Sequence, residues 1–357
     1  MPQIAGPTCE YRVVQIHPLR RCNLRCLHCY STSGPEADPS LPLARLIGAL
    51  ETLRKEEFNA VGISGGEPLL YRDLPALLRA VHELGMTATV TTNGMLLNAE
   101  RADMLRREAD LVAISLDGLP ESHNRMRNNS HAFEQMTAGV DHLRRAGVPF
   151  GFIFTLTFHN LHELDWVADY SVAQGASLLQ IHPLEEVGRA TVQLRSSAPD
   201  ALELARGFIE IARLRQQYGD RITFQYDVAD REILRENPER GFAVPWPREC
   251  GLGSSGADTL ANLIAPIIIE ADGAIVPIQY NFSRAFQIGD IFADCLRSQI
   301  EAWKEQFHAR FLALCRNVHR ELLNQTPAAL PFVNWYGAIL QASHAERWDP
   351  VSGYAAN

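Results

Sequence analysis

The sequence contains no uninterrupted apolar run of about 18 residues, the length a membrane-crossing helix needs, so no spanning helix is expected. Its first residues, MPQIAGPTCEYR, lack the basic-then-apolar layout of a secretory signal. Positive charge is also in deficit: 33 Lys and Arg against 42 Asp and Glu leave a formal net charge of −9. A nucleic-acid surface needs net basic patches, so nucleic acid is not an expected partner. There is no low-complexity segment. Disulfide arithmetic fails too, because the seven cysteines are odd in number and three of them fall within eight residues. Such crowding suits a metal site in a reducing compartment, so the cytoplasm is expected, and an oxygen-poor setting if a cluster is exposed. The chain has 357 residues, 46% of them hydrophobic and 21% charged. It has the balance of a globular protein, with length for one large α/β domain or a large domain plus a small one.

Apolar runs and amphipathic segments alternate through the first two-thirds of the chain. Strands are expected at Arg12–His17, Ala60–Ser64, Thr87–Thr91, Leu111–Leu116, Phe150–Thr157 and Leu178–Pro183. Helical patterns lie between them at Leu43–Phe58, Leu74–Leu84, Ala99–Arg107, Ala132–Ala146 and Leu161–Gln174. Gly85, Gly147 and Gly175 fall just past three of these, where a helix favours a left-handed residue. Six βα units of this kind predict a parallel sheet with right-handed crossovers. They are too few for a closed eight-stranded barrel, so the expected fold is α/β, a partial (β/α)6 TIM-like barrel. Beyond Arg189 the pattern shifts to a long helix, Ala198–Tyr218, and a short strand, Ile222–Tyr226. A loop rich in Pro and Gly follows. Apolar runs Leu263–Glu270 and Ala274–Ile278 then flank Ala271-Asp272-Gly273, a hairpin signal. The segments are expected as an N-terminal stretch 1–11, a barrel with bridging helix 12–236, a small α+β unit 237–310 and a tail 311–357, helical at first.

Directly after the first strand comes Cys22-Asn23-Leu24-Arg25-Cys26-Leu27-His28-Cys29-Tyr30. Thiolates spaced C-x3-C-x2-C reach one centre only if the backbone wraps around it. They can hold three irons of a 4Fe–4S cluster, leaving the fourth open. Structural zinc, with His28 as fourth ligand, is the alternative, but zinc sites usually pair two separated knuckles. Arg20, Arg21 and Arg25 are either solvated surface charge or balance for an anionic cluster.

Other candidates fall at strand ends. Ser64-Gly65-Gly66-Glu67-Pro68 is either a turn or a close backbone approach to a ligand whose ammonium Glu67 can accept from. Thr91-Thr92-Asn93-Gly94 ends the third strand in the same two readings. Ser115 and Asp117-Gly118 end the fourth and are followed by His123-Asn124-Arg125-Met126-Arg127. Thr157 and Asn160 end the fifth, as a turn or as ligand contacts. His182, Leu184, Glu185 and Glu186 end the sixth and lead into Gly188-Arg189-Ala190. His182 and Glu185 are weak candidates for substrate-side acid–base work, and Cys250 for a thiol hydrogen-atom donor.

Together these motifs resemble the radical S-adenosylmethionine (SAM) superfamily, whose signature is CxxxCxxC, commonly with an aromatic residue before the last cysteine. Here that place holds His28, and Tyr30 follows. The resemblance implies that Cys22, Cys26 and Cys29 bind one 4Fe–4S cluster. Gly65, Gly66 and Glu67 match the motif that holds the SAM amino group. Ser115 and Asp117 match a polar element facing the ribose, and Arg127, rather than Arg125, is the cation for the SAM carboxylate. Thr157 and Asn160 match a T-x-x-N element, and Leu184 opens a segment whose backbone flanks the adenine. Residues after Cys250 resemble the SPASM/twitch extension, which binds auxiliary clusters. The position of its second cysteine is Ile278, so a degenerate SPASM/twitch-like domain without its metal is expected.

The resemblance implies reductive cleavage of SAM to a 5′-deoxyadenosyl radical that abstracts hydrogen from a substrate. The electron would come from a flavodoxin- or ferredoxin-type reductant. Three readings stay open: a small-metabolite biosynthetic enzyme, a peptide-modifying maturase of the RiPP type, and a non-catalytic iron–sulfur protein. With 21 residues ahead of Cys22, a peptide substrate is expected to need a separate recognition partner. A monomer is expected.

Overall fold

Alternation within the strands sets the architecture of the computed structural model, which describes residues 11–36, 40–236, 259–324 and 330–345. Every second residue is buried and the ones between are half-buried in β1 (Val13–Ile16), β3 (Thr87–Thr92), β4 (Leu111–Ser115) and β6 (Leu178–Pro183). Successive strand residues point to opposite faces. One face of the sheet therefore packs into a core, where Val14, Ile16, Val90, Ile114 and Ile181 join helix residues Leu50, Leu77, Leu105 and Met136. The other face lines an open lumen. Parallel pairing carries that lumen face from strand to strand. It aligns Gln15 with Gly62 and Thr89 through β2 (Ala60–Ile63), and Ser115 with Ile153 and Gln180 through β5 (Phe150–Leu156).

The sheet has ten strands in the order β11-β10-β9-β1-β2-β3-β4-β5-β6-β7. The remaining members are β7 (Thr223–Tyr226), β9 (Ile267–Ile269), β10 (Ala274–Pro277) and β11 (Gly289–Asp290). β1 to β7 run parallel, and the sheet is not closed, which is the α/β, partial-barrel architecture expected from the sequence. Two features extend the six expected units. β7 pairs in parallel with β6, Leu178 against Thr223. On the other side β9 pairs in parallel with β1, Val14 against Ile267, and continues antiparallel into β10. The hairpin around Asp272-Gly273 is thus hydrogen-bonded into the barrel sheet. Ile267, Ile268 and Ile269 are all fully buried, as an uninterrupted β-branched run requires of an interior strand.

Helix boundaries follow local chemistry. Asn98 caps Ala99–Glu108 through Arg101 N at 2.9 Å, and Asp200 caps Ala201–Tyr218 through Leu202 N and Glu203 N; each cap contributes about 1 kcal/mol. Gly85, Gly147 and Gly175 have φ of +68°, +67° and +78°, closing the three helices as expected. The expected tail helix is split at Phe307 into Leu296–Gln306 and His308–Leu323, with Cys295 at the N-cap of the first. Trp335–Ala345 is a further helix, and ahead of it β12 (Phe332–Val333) pairs antiparallel with β8 (Ala229–Asp230). Lys304 Nζ lies 2.7 Å from Glu56 of the helix Leu43–Lys55 C-cap, and Glu56 also accepts from Leu260 N at 2.6 Å. The C-terminal helices are thereby joined to the barrel. No helix among the described residues is long and apolar enough to cross a membrane.

Candidate active site at the strand C-terminal ends

The cysteine loop is held through its main chain by the segments around it. Cys22 N donates to Gly34 O (3.0 Å), Leu27 N to Met126 O (2.9 Å), and Arg189 N to Cys29 O (3.0 Å). Arg189 also gives Nε to Cys26 O (2.8 Å) and a guanidinium N–H to Ser33 O (2.7 Å). Two glycines exist to admit this loop. A Cβ on Gly66 would sit 2.2 Å from Arg21 O, and one on Gly188 2.3 Å from Tyr30 O. On the side where a Cβ would stand, Gly66 meets the chain that carries the cysteines. Gly65, at φ +111°, lies the same way against Leu19 O.

Cys22 and Cys26 are buried beside Leu24, with half-buried Cys29 and Met95 packed against them. Each sulfur meets N–H donors: Leu24 N (3.4 Å) and Asn93 Nδ2 (3.9 Å) at Cys22, Arg127 (3.7 Å) at Cys26, and Ser33 N (3.4 Å) at Cys29. Donors around sulfur favour the thiolate form, the form that ligates metal. Without metal, burial pushes the Cys22 thiol up to about 12 and raises that of Cys26, so ligation would have to displace protons. Among the described residues no three His, Cys, Asp or Glu side chains stand close enough to hold a single ion. Thiolates around a four-iron cluster stand further apart than around one zinc, and three thiols with donors on every sulfur fit the cluster. His28 Nε2 lies 3.9 Å from Asp117 Oδ1 and its Nδ1 has no hydrogen-bond partner.

Glu67 is fully buried, and its carboxylate accepts from Leu69 N (3.1 Å), Thr92 Oγ1 (2.8 Å) and Asn93 N (3.0 Å). Burial raises its pKa against those donors. The side chain therefore ties the end of β2 to the end of β3, and Asn93 Nδ2 extends the tie to Asn23 Oδ1 at 2.8 Å. Asp117 and Arg127 form a buried ion pair, Nε to Oδ2 2.6 Å. Burial works to raise the Asp117 carboxyl, but Arg127, with His28 and His123, holds it below its ordinary value. Ser115 is half-buried on the lumen face. Thr157 and Asn160 form a turn: Thr157 N donates to Asn160 Oδ1 (2.7 Å) and Asn160 Nδ2 to Thr155 O (2.9 Å). Leu184 is buried, its N bonded to Leu156 O. Cys250 lies outside the described residues.

Other lumen groups gather around two of the sequence candidates, His182 and Glu185. His182 Nδ1 lies 3.1 Å from Asp227 Oδ2, and Asp227 also accepts from Gln180 (2.6 Å) and Gln225 (2.8 Å). Burial opposes charge on His182, yet Asp227 raises its pKa. The period-2 pattern of β6 and β7 placed Gln180, His182 and Gln225 on one face; Asp227 sits just beyond β7 and gave no signal of its own. At the end of β1, fully buried His17 stacks on Tyr280 (4.5 Å between centroids), with Tyr30 beside both rings, and neither of its ring nitrogens has a hydrogen-bond partner. Gln279, from the hairpin unit, donates to Glu185 at 2.6 Å. Glu185 is thus a contact between that unit and the barrel mouth.

Residues 16–170 match the family described as the Radical SAM superfamily. The chain is similar to Fe-coproporphyrin III synthase of Methanosarcina barkeri, 27% identical over 245 residues, 65% of this chain and 61% of that protein. It is also similar to pre-heme d1 synthase of Dinoroseobacter shibae, 34% identical over 190 residues, 53% of this chain and 47% of that one. The chain thus spans about half to three-fifths of these relatives' length. In fold it resembles the solved structure of native anSMEcpe with bound AdoMet and Cp18Cys peptide. The TM-score there is 0.62 at 18% identity, covering 93% of this chain and 95% of that one.

Proposed function

Because the chain belongs to the radical SAM superfamily, we propose that it is an enzyme that cleaves SAM reductively and acts on a small biosynthetic metabolite held in the barrel lumen. The observation that carries this reading is the placement of three donor-ringed cysteines at the mouth of an open, polar lumen. When bound, the 4Fe–4S cluster and SAM supply a 5′-deoxyadenosyl radical able to take hydrogen from an unactivated carbon. The protein's share is position and exclusion. Arg189, Gly66 and Gly188 fix the loop, and the Glu67–Thr92–Asn93 tie fixes the strand ends around the SAM site formed by Gly65, Gly66, Ser115, Thr157, Asn160 and Leu184.

The polar residues of the lumen face support a polar substrate. Gln15, Thr89, Thr91, Ser115, Thr155, Gln180 and His182 share it, and they suit a polar molecule. His182, oriented at Nδ1 by Asp227, offers Nε2 for proton exchange with that molecule. Two relatives named as synthases of tetrapyrrole products support a small biosynthetic substrate. A peptide substrate is the second reading, favoured by the Cp18Cys peptide bound to anSMEcpe, whose structure matches nearly the whole fold. A low-potential flavodoxin or ferredoxin would supply the electron.

The test is anaerobic reconstitution, then incubation with SAM and dithionite. Formation of 5′-deoxyadenosine well above a Cys26→Ala control is expected; equal amounts refute the proposal.

A further inference from the structure

We propose that Arg127 is a positioning residue for electron transfer, aimed by Asp117 at the Cys26 sulfur so that it raises the reduction potential of the cluster. This rests on the cluster reading above and adds to it a specific role for one buried ion pair. Arg127 ends the helix Pro120–Arg127, and Asn128 at φ +53° turns the chain away immediately after it. Both members of the pair are shielded, Arg127 8% and Asp117 1% exposed. The guanidinium lies 2.6 Å from Asp117 through Nε and 3.7 Å from Cys26 Sγ through Nη1. Helix and loop are joined next door by the Leu27 N to Met126 O bond, which holds the main chain that carries the cation beside the loop that carries the sulfur.

Among the described residues, the donors on Cys22 and Cys29 are neutral amide and hydroxyl groups, and Cys26 alone receives a cation. A reduced cluster carries one more negative charge than an oxidised one, so a hydrogen-bonding cation on a ligand sulfur stabilises the reduced state more. Asp117 does two opposed things: it holds the guanidinium in place, and it offsets part of its charge. Removing each partner therefore moves the potential in opposite directions, which a scaffold-only role would not produce.

The experiment is an EPR-monitored redox titration of the full chain, reconstituted anaerobically, without SAM. Iron content and visible absorption first establish that each variant holds its cluster. Arg127→Met is expected to lower the potential by a tenfold change in the reduction equilibrium, about 59 mV for one electron. Asp117→Asn is expected to raise it. Arg127→Lys keeps the charge on a shorter reach and is expected to fall between wild type and Arg127→Met. If Arg127→Met loses its iron, Arg127→Lys decides: a potential equal to wild type overturns the inference. Shifts of the same sign in Arg127→Met and Asp117→Asn overturn it as well. A wild-type protein that assembles no four-iron cluster instead refutes the underlying function, a distinct outcome.

Discussion

Replacing Gly66 by alanine tests whether the cysteine loop is positioned by backbone contact with the end of β2. The new Cβ would sit 2.2 Å from Arg21 O, 2.7 Å from Arg21 C and 2.8 Å from Arg20 C. All three atoms are main chain, so no side-chain rotation relieves the overlap and the loop itself must move. Overpacking of this kind costs about 1–3 kcal/mol. The displaced strand also forfeits the neighbouring Glu67 N to Arg21 O bond, 3.0 Å long, at about 1 kcal/mol. A total of roughly 2–4 kcal/mol follows from adding the two. Two other glycines isolate the cause. Gly85 has φ +68° and no atom within 4 Å of a built Cβ, so Gly85→Ala costs only the left-handed backbone, about 1–2 kcal/mol. Gly48 lies inside the helix Leu43–Lys55, also with nothing within 4 Å. Gly48→Ala should therefore stabilise by up to about 1 kcal/mol. Urea unfolding gives each cost from the midpoint and slope, and iron per chain after reconstitution reports the loop. Gly66→Ala should lose both stability and iron, Gly85→Ala stability alone, and Gly48→Ala neither. A Gly66→Ala protein with wild-type midpoint and iron content would refute the contact as the positioning element.

Gly188→Ala, at φ +59° with a Cβ 2.3 Å from Tyr30 O and 2.5 Å from Cys29 O, should also impair iron loading, read by the same assay. Glu56→Ala removes both the Lys304 contact and the acceptor for Leu260 N. Lys304 keeps Glu301 at 3.2 Å, so the main loss is the acceptor for the buried Leu260 N–H, which should destabilise by about 1–3 kcal/mol in urea unfolding. For His182 the pKa is raised in the fold, with Asp227 prevailing over burial. Its stabilising contribution is therefore complete below the unfolded value of about 6.5 and lost as pH rises through the folded one. Asp227, held below its ordinary value, contributes above about pH 3.9 and loses that contribution on acidification. The unfolding midpoint of wild type should consequently fall relative to Asp227→Asn as pH rises above about 6.5; parallel profiles would argue against the pair.

Periodicity and spacing carried the barrel and the address of the site. Each strand from β1 to β6 lies within two residues of its expected bounds, because a half-buried parallel strand must alternate and its helix must end at a glycine or a turn. The same rules put Glu67, Asn93, Asp117, Thr157 and His182 at strand ends. They did not say which side chain meets which where the partners lie far apart in the chain, 25 residues for Glu67 with Thr92 and 101 for Arg127 with Cys26. Gly66 is instructive: a glycine at a strand end signals a close approach but not what approaches, and on its Cβ side the cysteine-bearing chain does. The Asp117–Arg127 pair was closer to reach. Their charges are opposite, and the chain between them is a turn at Gly118 (φ +123°) and one eight-residue helix. That helix rises about 12 Å, and the turn before it doubles the chain back, so its last residue can come back over the strand end that precedes it. An arginine that far along, beside an aspartate with no exposure to water, has a buried anion to answer before it can serve a ligand. Local charge balance thus selects Arg127 over Arg125 without reference to any cofactor, and it predicts that Arg125→Ala leaves both iron content and cluster potential at wild-type values while the Arg127 variants do not.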